Sequence, residues 1–217
     1  MGRSYEVIWA AQEIVKRGLV KGTWGNVSVR EKSTVWITPS GVPYDKLDHD
    51  SVAVVDLKTE KQIGGKYKYS SELPMHLAIY RSIPEINAVV HTHSVYASVF
   101  AVLERPIPCL TEEQAQIIGG EVDVAEYAPP GTEELARNVV EVLKTGKFAA
   151  LLSKHGAVAI GRTINEALVA AEILEKSAQI ALLALTIDRE VKPLERDDVE
   201  RLREIYQISY SKHIIEG

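Results

Sequence analysis

The sequence predicts a single α/β domain, and three observations carry that prediction. Its 217 residues suffice for one sizeable core and fall within the range of one such domain. Apolar residues recur at helical spacing near the start (Val7, Ile8, Ala11, Ile14, Val15) and again along a stretch from Ile164 to Leu185. Between them lie short apolar runs bounded by Gly, Ser and Pro, as strands are: 27–29, 35–37, 52–55, 88–90, 149–152 and 157–160. No repeat, linker or low-complexity segment interrupts this pattern. The expectation is one domain over residues 1–217, with a C-terminal tail from about residue 206.

Composition narrows the function classes. Hydrophobic residues make up 46 % and charged ones 25 %, ordinary for a soluble globular protein. A formal charge of −5 offers no basic field for nucleic acid or anionic membrane. No apolar run reaches the roughly 18 residues a membrane span needs. The opening residues, Met1 to Glu6, lack a signal-peptide core. Cys109 is the only cysteine, so an internal disulfide is excluded and a cytoplasmic location is expected.

In chain order, the first helix is predicted from about Ser4 to Arg17, with Gly18 as its stop. Gly22-Thr23-Trp24-Gly25-Asn26 is a glycine-spaced turn that leads into a strand and exposes backbone N–H groups. Thr38-Pro39-Ser40-Gly41 is a second turn of hydroxyls and glycine. Tyr69 to Pro74 opens a helix for which Ser70 or Ser71 is the predicted N-cap, and its free N–H groups and serine hydroxyls suit an anion. Glu72 belongs at a helix start and also lies where chemistry could use it. His76, one turn on, is read as packing or surface rather than a ligand.

The run Ala88-Val89-Val90 ends in His91-Thr92-His93. Alternate strand residues share a face, so His91 and His93 can meet one cation, although two histidines on a wet strand face look the same. A helix is predicted over 94–103 and another over 111–118, the latter carrying Glu112 and Glu113 before Gly119-Gly120. Thr132 is the expected cap of a helix running to about Leu143. Ser153-Lys154-His155-Gly156 joins two strands, which puts His155 at a sheet-edge turn. Thr163-Ile164-Asn165-Glu166 spells a capping box for the long helix, whose stripe is core or subunit interface. A last helix from about Asp197 runs into a polar, aromatic tail.

Taken together, Gly22-Thr23-x-Gly25-Asn26, Thr38-Pro39-Ser40-Gly41, Ser70-Ser71-Glu72, His91-x-His93 and His155-Gly156 have an order and spacing that resembles the class II sugar-phosphate aldolase/epimerase family, over about residues 3 to 210. The resemblance implies a central, mostly antiparallel sheet between helical layers, assembled as a homotetramer with active sites between adjacent subunits. It implies a zinc ion on His91, His93 and His155, with an open position for the oxygens of a ketose phosphate. Manganese, iron or cobalt would suit the same ligands. Glu72 is then the acid/base that moves the proton at the reacting carbon. Thr23, Asn26, Ser40, Gly41, Ser70 and Ser71 are expected to hold the phosphate. None of the six is cationic, so helix dipoles and neutral donors must balance the dianion.

The implied reaction is aldol cleavage of a ketose 1-phosphate of the L-fuculose type to dihydroxyacetone phosphate and an aldehyde. Epimerases of the family carry Asp where this chain has Glu72, which disfavours L-ribulose-5-phosphate 4-epimerase. Methylthioribulose-1-phosphate dehydratase is the nearer alternative. An adducin-like scaffold comes last, because a binding module has no use for an open metal site. One position departs from the family: where its aldolases place a tyrosine before Gly-Gly, this chain has Glu113, beside Glu112. The aldehyde-side proton is therefore expected on Glu113, if burial keeps it protonated, or on Tyr206 or Tyr210 of the tail. The same glutamates also suit the charged start of a surface helix.

Overall fold

The computed structural model describes residues 2–210, with side chains through Ile208. Helix α1 (Arg3–Lys16) turns Val7, Ala10, Ala11 and Ile14 inward and ends before Gly18, whose φ of 73° suits glycine. Strands β1 (Gly25–Glu31), β2 (Thr34–Ile37), β3 (Ala53–Asp56) and β4 (Gln62–Gly64) follow as a meander. Next come α2 (Leu73–Ser82), β5 (Ala88–Thr92), α3 (Val95–Leu103), α4 (Glu112–Ile117), β6 (Val124–Ala125) and α5 (Glu133–Leu143). The chain closes with β7 (Ala149–Leu152), β8 (Gly156–Gly161), α6 (Ile164–Ile187), α7 (Arg196–Ile205) and a π turn at Tyr206–Tyr210.

The strands form one sheet in the order β4-β3-β2-β1-β5-β8-β7-β6, antiparallel throughout except for β6 with β7. Alternation along each strand divides the core in two. Val27, Val29, Ala88, Val90 and Ala159 pack with the apolar stripes of α1, α3 and α6. Val35, Ile37, Val89, Val158 and Ile160 pack with α2 and α5 on the other face. Since β5 and β8 are buried from end to end, any polar group on them needs a dedicated partner. The sheet between helical layers is the architecture expected.

Local readings differ in three places. The edge strands β4 and β6 are three and two residues long, too short to leave a pattern. The box at α6 is half formed. Thr163 Oγ1 accepts from Glu166 N at 3.2 Å, but the buried Glu166 carboxylate turns to Arg162, taking its backbone N–H at 2.7 Å and its guanidinium. A charged partner outcompetes the free N–H of Thr163. Neither Ser70 nor Ser71 caps α2. Ser70 N donates to Thr38 O, and Pro39 bridges to Tyr69, which keeps this segment extended. The Ser70 hydroxyl accepts instead from Glu72 N at 3.3 Å, and the helix starts later with Glu72 in the N-cap place.

Helix α7 is docked by Arg203, whose Nη1 donates to Gln116 O and Ile117 O, both at 2.7 Å, and so caps the C-terminal end of α4. Its guanidinium lies 4.2 Å over the Phe148 ring. Caps matter most where they start a long element. Thr163→Ala should therefore destabilise the chain by about 1 kcal/mol, read as a lower denaturant midpoint with an unchanged slope.

Candidate active site

Strand pairing assembles the histidines. In the β5–β1 register His91 stands opposite Asn26, and in the β5–β8 register it stands opposite Val158. His93 follows just beyond the end of β5. His155 comes from the β7–β8 turn, where Lys154 takes a φ of 56° and its N–H donates to Ala101 O at 3.1 Å. Glu104 holds the same turn, accepting from Ser153 Oγ at 2.8 Å and Lys154 Nζ at 2.7 Å. The three rings meet edge to face with centroids 4.8–5.0 Å apart, and one nitrogen of each lies within 4.8 Å of the others.

This donor set fits a cation. His91 Nδ1 donates to Ala157 O at 2.9 Å, which leaves Nε2 as the lone-pair nitrogen. That Nε2 lies 3.0 Å from His93 Nε2. Nitrogens on a tetrahedral ion at about 2.0–2.1 Å stand about 3.3 Å apart, so the spacing is close to a ligand pair. His155 Nδ1 is buried without a partner. Burial, and then the neighbouring His155 and His93, hold His91 well below its ordinary value. Burial, followed by His93, takes His155 down to about 4, and burial also lowers His93. Neutral imidazoles are the form that ligates metal.

The expected phosphate residues arrive on three segments. Asn26 is buried on β1, and Thr23 lies in the turn before it. Ser40 and Gly41 are exposed in the turn after β2, which is laced to the 68–71 segment by Ser40 N to Lys68 O and Ser70 N to Thr38 O. Ser70 is buried there and Ser71 exposed. A cleft of about 720 Å³ is lined by Thr23, Gly41, Trp24 and Tyr44. Another, about 670 Å³, lies at the far end of β1 and β8, where Arg3, Arg30 and Arg162 are already engaged by Glu6, Asn87 and Glu166.

Glu72 is 5 % exposed, and its Oε2 is buried without a hydrogen-bond partner. Burial raises its carboxyl above the ordinary value, opposed by a hydrogen bond from the Gly131 backbone. Gly131 packs so closely that a Cβ there would come within 2.8 Å of Ser71 O. His76, one turn after Glu72 and expected as packing or surface, is wholly buried against Asn26 and Ser28, so it packs rather than lying on the surface, and its link to Asn26 is new.

Residues 5–182 match the family model described as "Class II Aldolase and Adducin N-terminal domain". The chain belongs to the class II aldolase family. It is 38 % identical over 194 residues to an L-fuculose phosphate aldolase of Escherichia coli O6:H1, covering 89 % of each chain. A protein of the same name from Methanococcus vannielii is 38 % identical over 184 residues, or 85 % of this chain and 98 % of that one. A solved structure of an L-fuculose 1-phosphate aldolase superposes with a TM-score of 0.90 at 34 % identity, covering 95 % of this chain and 96 % of that one. These likenesses and the intact histidine group make this aldolase an enzyme of the lyase class.

Among the aldolase's expected site residues, Glu113 is engaged elsewhere. Glu113, at the start of α4, is partly exposed and bridged to Lys176 of α6 at 2.6 Å. The side chain of Tyr210 lies outside the described residues. Tyr206, by contrast, is buried with its hydroxyl unpartnered. The sequence reading missed Trp24, whose ring is tilted beside His93 at 6.0 Å and 70 % exposed. An aromatic between two turn glycines was the available signal.

The raised pKa of the Glu72 carboxyl implies a stability test. A carboxyl whose folded pKa is raised binds its proton more tightly folded than unfolded. Its contribution favours the fold below the unfolded value, about 4.3, and is lost as pH rises through the folded one. Stripped of metal, Glu72→Gln should melt at a higher temperature than the parent at pH 8, and the gap should close as pH falls toward 4.5. Thermal scans across that range check it.

Proposed function

We propose that this chain cleaves a ketose 1-phosphate, L-fuculose 1-phosphate or a close analogue, to dihydroxyacetone phosphate and an aldehyde. The observation that carries the reading is the β1–β5 register, which sets the amide donor Asn26 directly across from His91. On this reading a phosphate-holding group and a metal-holding group are neighbours. The names of the curated relatives support the substrate class.

His91, His93 and His155 would hold zinc, and the ion when bound supplies Lewis-acid polarisation of the substrate carbonyl. Asn26, Thr23, Ser40, Gly41, Ser70 and Ser71 bind the phosphate and so orient the C3–C4 bond. In cleavage, the C4 hydroxyl loses its proton, the C3–C4 bond breaks, and its electron pair passes to C3 and the adjacent carbonyl. Glu72 delivers the proton that C3 then needs; its raised pKa keeps that proton available nearer neutrality. Glu113 accepts the C4 hydroxyl proton, or Tyr210 does, from a neighbouring subunit. Val95, Val102, Leu103, Leu183 and Ile187 are more than half exposed on α3 and α6, which supports assembly into the homotetramer proposed here. The chain is taken to work in the cytoplasm.

The deciding experiment supplies the zinc-loaded protein with several ketose 1- and 5-phosphates and assays dihydroxyacetone phosphate. Formation from L-fuculose 1-phosphate is expected. Loss of water without dihydroxyacetone phosphate would replace this reading with the dehydratase one. Glu72→Gln should cut turnover by about 10²–10⁴ and slow solvent deuterium exchange into dihydroxyacetone phosphate in step. His155→Ala should lose the metal while keeping the fold, as elemental analysis and circular dichroism would show.

A further inference from the structure

We propose that His76 is a positioning residue, which holds the Asn26 amide through a one-way chain of hydrogen bonds so that its NH₂ group faces the substrate phosphate. The inference rests on the phosphate site proposed above. The chain runs from Tyr80 OH to Ser28 Oγ at 2.6 Å, from Ser28 Oγ to His76 Nδ1 at 2.6 Å, and from His76 Nε2 to Asn26 Oδ1 at 2.5 Å. All four side chains are at least 96 % buried.

Direction follows from what each atom can do. A carbonyl oxygen only accepts, so His76 Nε2 carries the hydrogen. Nδ1 then accepts, and the Ser28 hydroxyl must donate to it. Ser28 Oγ in turn accepts from Tyr80. The backbone N–H of Val89 faces the Tyr80 oxygen, which leaves the phenol hydrogen free to donate. Burial holds His76 down to about 3, so it stays neutral across working pH, and its two hydrogen-bond partners select the tautomer. At the far end Asn26 Nδ2 donates to no described residue.

The orientation matters because the opposite one would be harmful. A turned-over Asn26 would aim carbonyl lone pairs at a phosphate that has no cationic side chain among its expected ligands. A packing role alone would not need this arrangement. Apolar side chains would fill the space between α2 and β1 without the desolvation of four polar groups.

The test uses the zinc-loaded protein and three single variants, Asn26→Ala, His76→Leu and Ser28→Ala, with the double variant N26A/H76L. Affinities are measured for dihydroxyacetone phosphate and for unphosphorylated dihydroxyacetone. Asn26→Ala and His76→Leu should each weaken dihydroxyacetone phosphate by about tenfold, the scale of one oriented hydrogen bond to a charged group. Neither should alter dihydroxyacetone, and the double variant should be no worse than either single. His76→Gln, which restores an N–H donor, should recover part of the loss. Equal weakening of both compounds, or additive losses in the double variant, would overturn the assignment and leave His76 a core residue. A normal loss in Asn26→Ala with none in His76→Leu would overturn it while sparing the phosphate site. Unchanged affinity in Asn26→Ala would overturn the phosphate site and the assignment together. If His76→Leu does not fold, Ser28→Ala decides: a weakening of about threefold confined to the phosphorylated compound supports the chain, and none overturns it.

Discussion

The close approach of β1, β5 and β8 at one end of the sheet is the constraint on which the rest of the structure depends. Gly25 and Gly156 make it possible. A Cβ on Gly25, which has a φ of 138°, would lie 2.8 Å from His91 O and 2.6 Å from Val20 Cγ1. A Cβ on Gly156 would meet the Thr92 carbonyl and stand 3.1 Å from His93 Cδ2. Any side chain at either place would spread the strands and separate the imidazoles that converge there. The glycines thus serve the metal group by what they leave out. The turns on both sides are pinned separately, by Thr38 Oγ1 accepting from Val27 N and by Glu104 on the β7–β8 turn.

Electrostatically, the site is left incomplete by the protein itself. One buried and two half-buried imidazoles have their pKa values lowered, the Nε2 atoms of His91 and His93 stand 3.0 Å apart, and a carboxylate oxygen of Glu72 has no donor. In a protein interior such groups are normally satisfied. Here a cation would satisfy the imidazoles, which is what a metal-dependent enzyme requires. Burial lowers the histidines and raises Glu72 by the same physical effect, because both shifts disfavour charge in a dry place. A stretch of sheet stabilised only for its own sake would not carry these groups.

Helix α2 joins the two halves of this arrangement. Its N-cap is Glu72, one turn later His76 reaches across to β1, and the next turn contributes Tyr80. Residues four apart share a helix face, so one side of α2 carries both the proposed proton-moving group and the proposed support for the Asn26 amide. The other contacts of α2, made by Leu77 and Ile79 in the core it shares with α5, are ordinary apolar packing.

Much of this was legible in the sequence because it is local. Helical stripes, short apolar runs and turn glycines are patterns within a few residues, and they produced the elements and the α/β class. His91 and His93 could be placed on one face from strand alternation alone, and His155 in a turn from the apolar runs on either side. What remained out of reach was set by partners distant in the chain. Ser70 was drawn into bridging with the 38–40 segment and lost its capping role, and Glu166 chose Arg162 over the helix start. Glu113 found Lys176 sixty-three positions away. The edge strands β4 and β6 exist only because neighbours offer hydrogen bonds. His76 shows the division most clearly. Sequence alone determined that it sits one turn from Glu72 on a helix, whereas only the packing of α2 against β1 decided that its ring would meet Asn26, since side-chain spacing along one element carries no information about what another element brings to it.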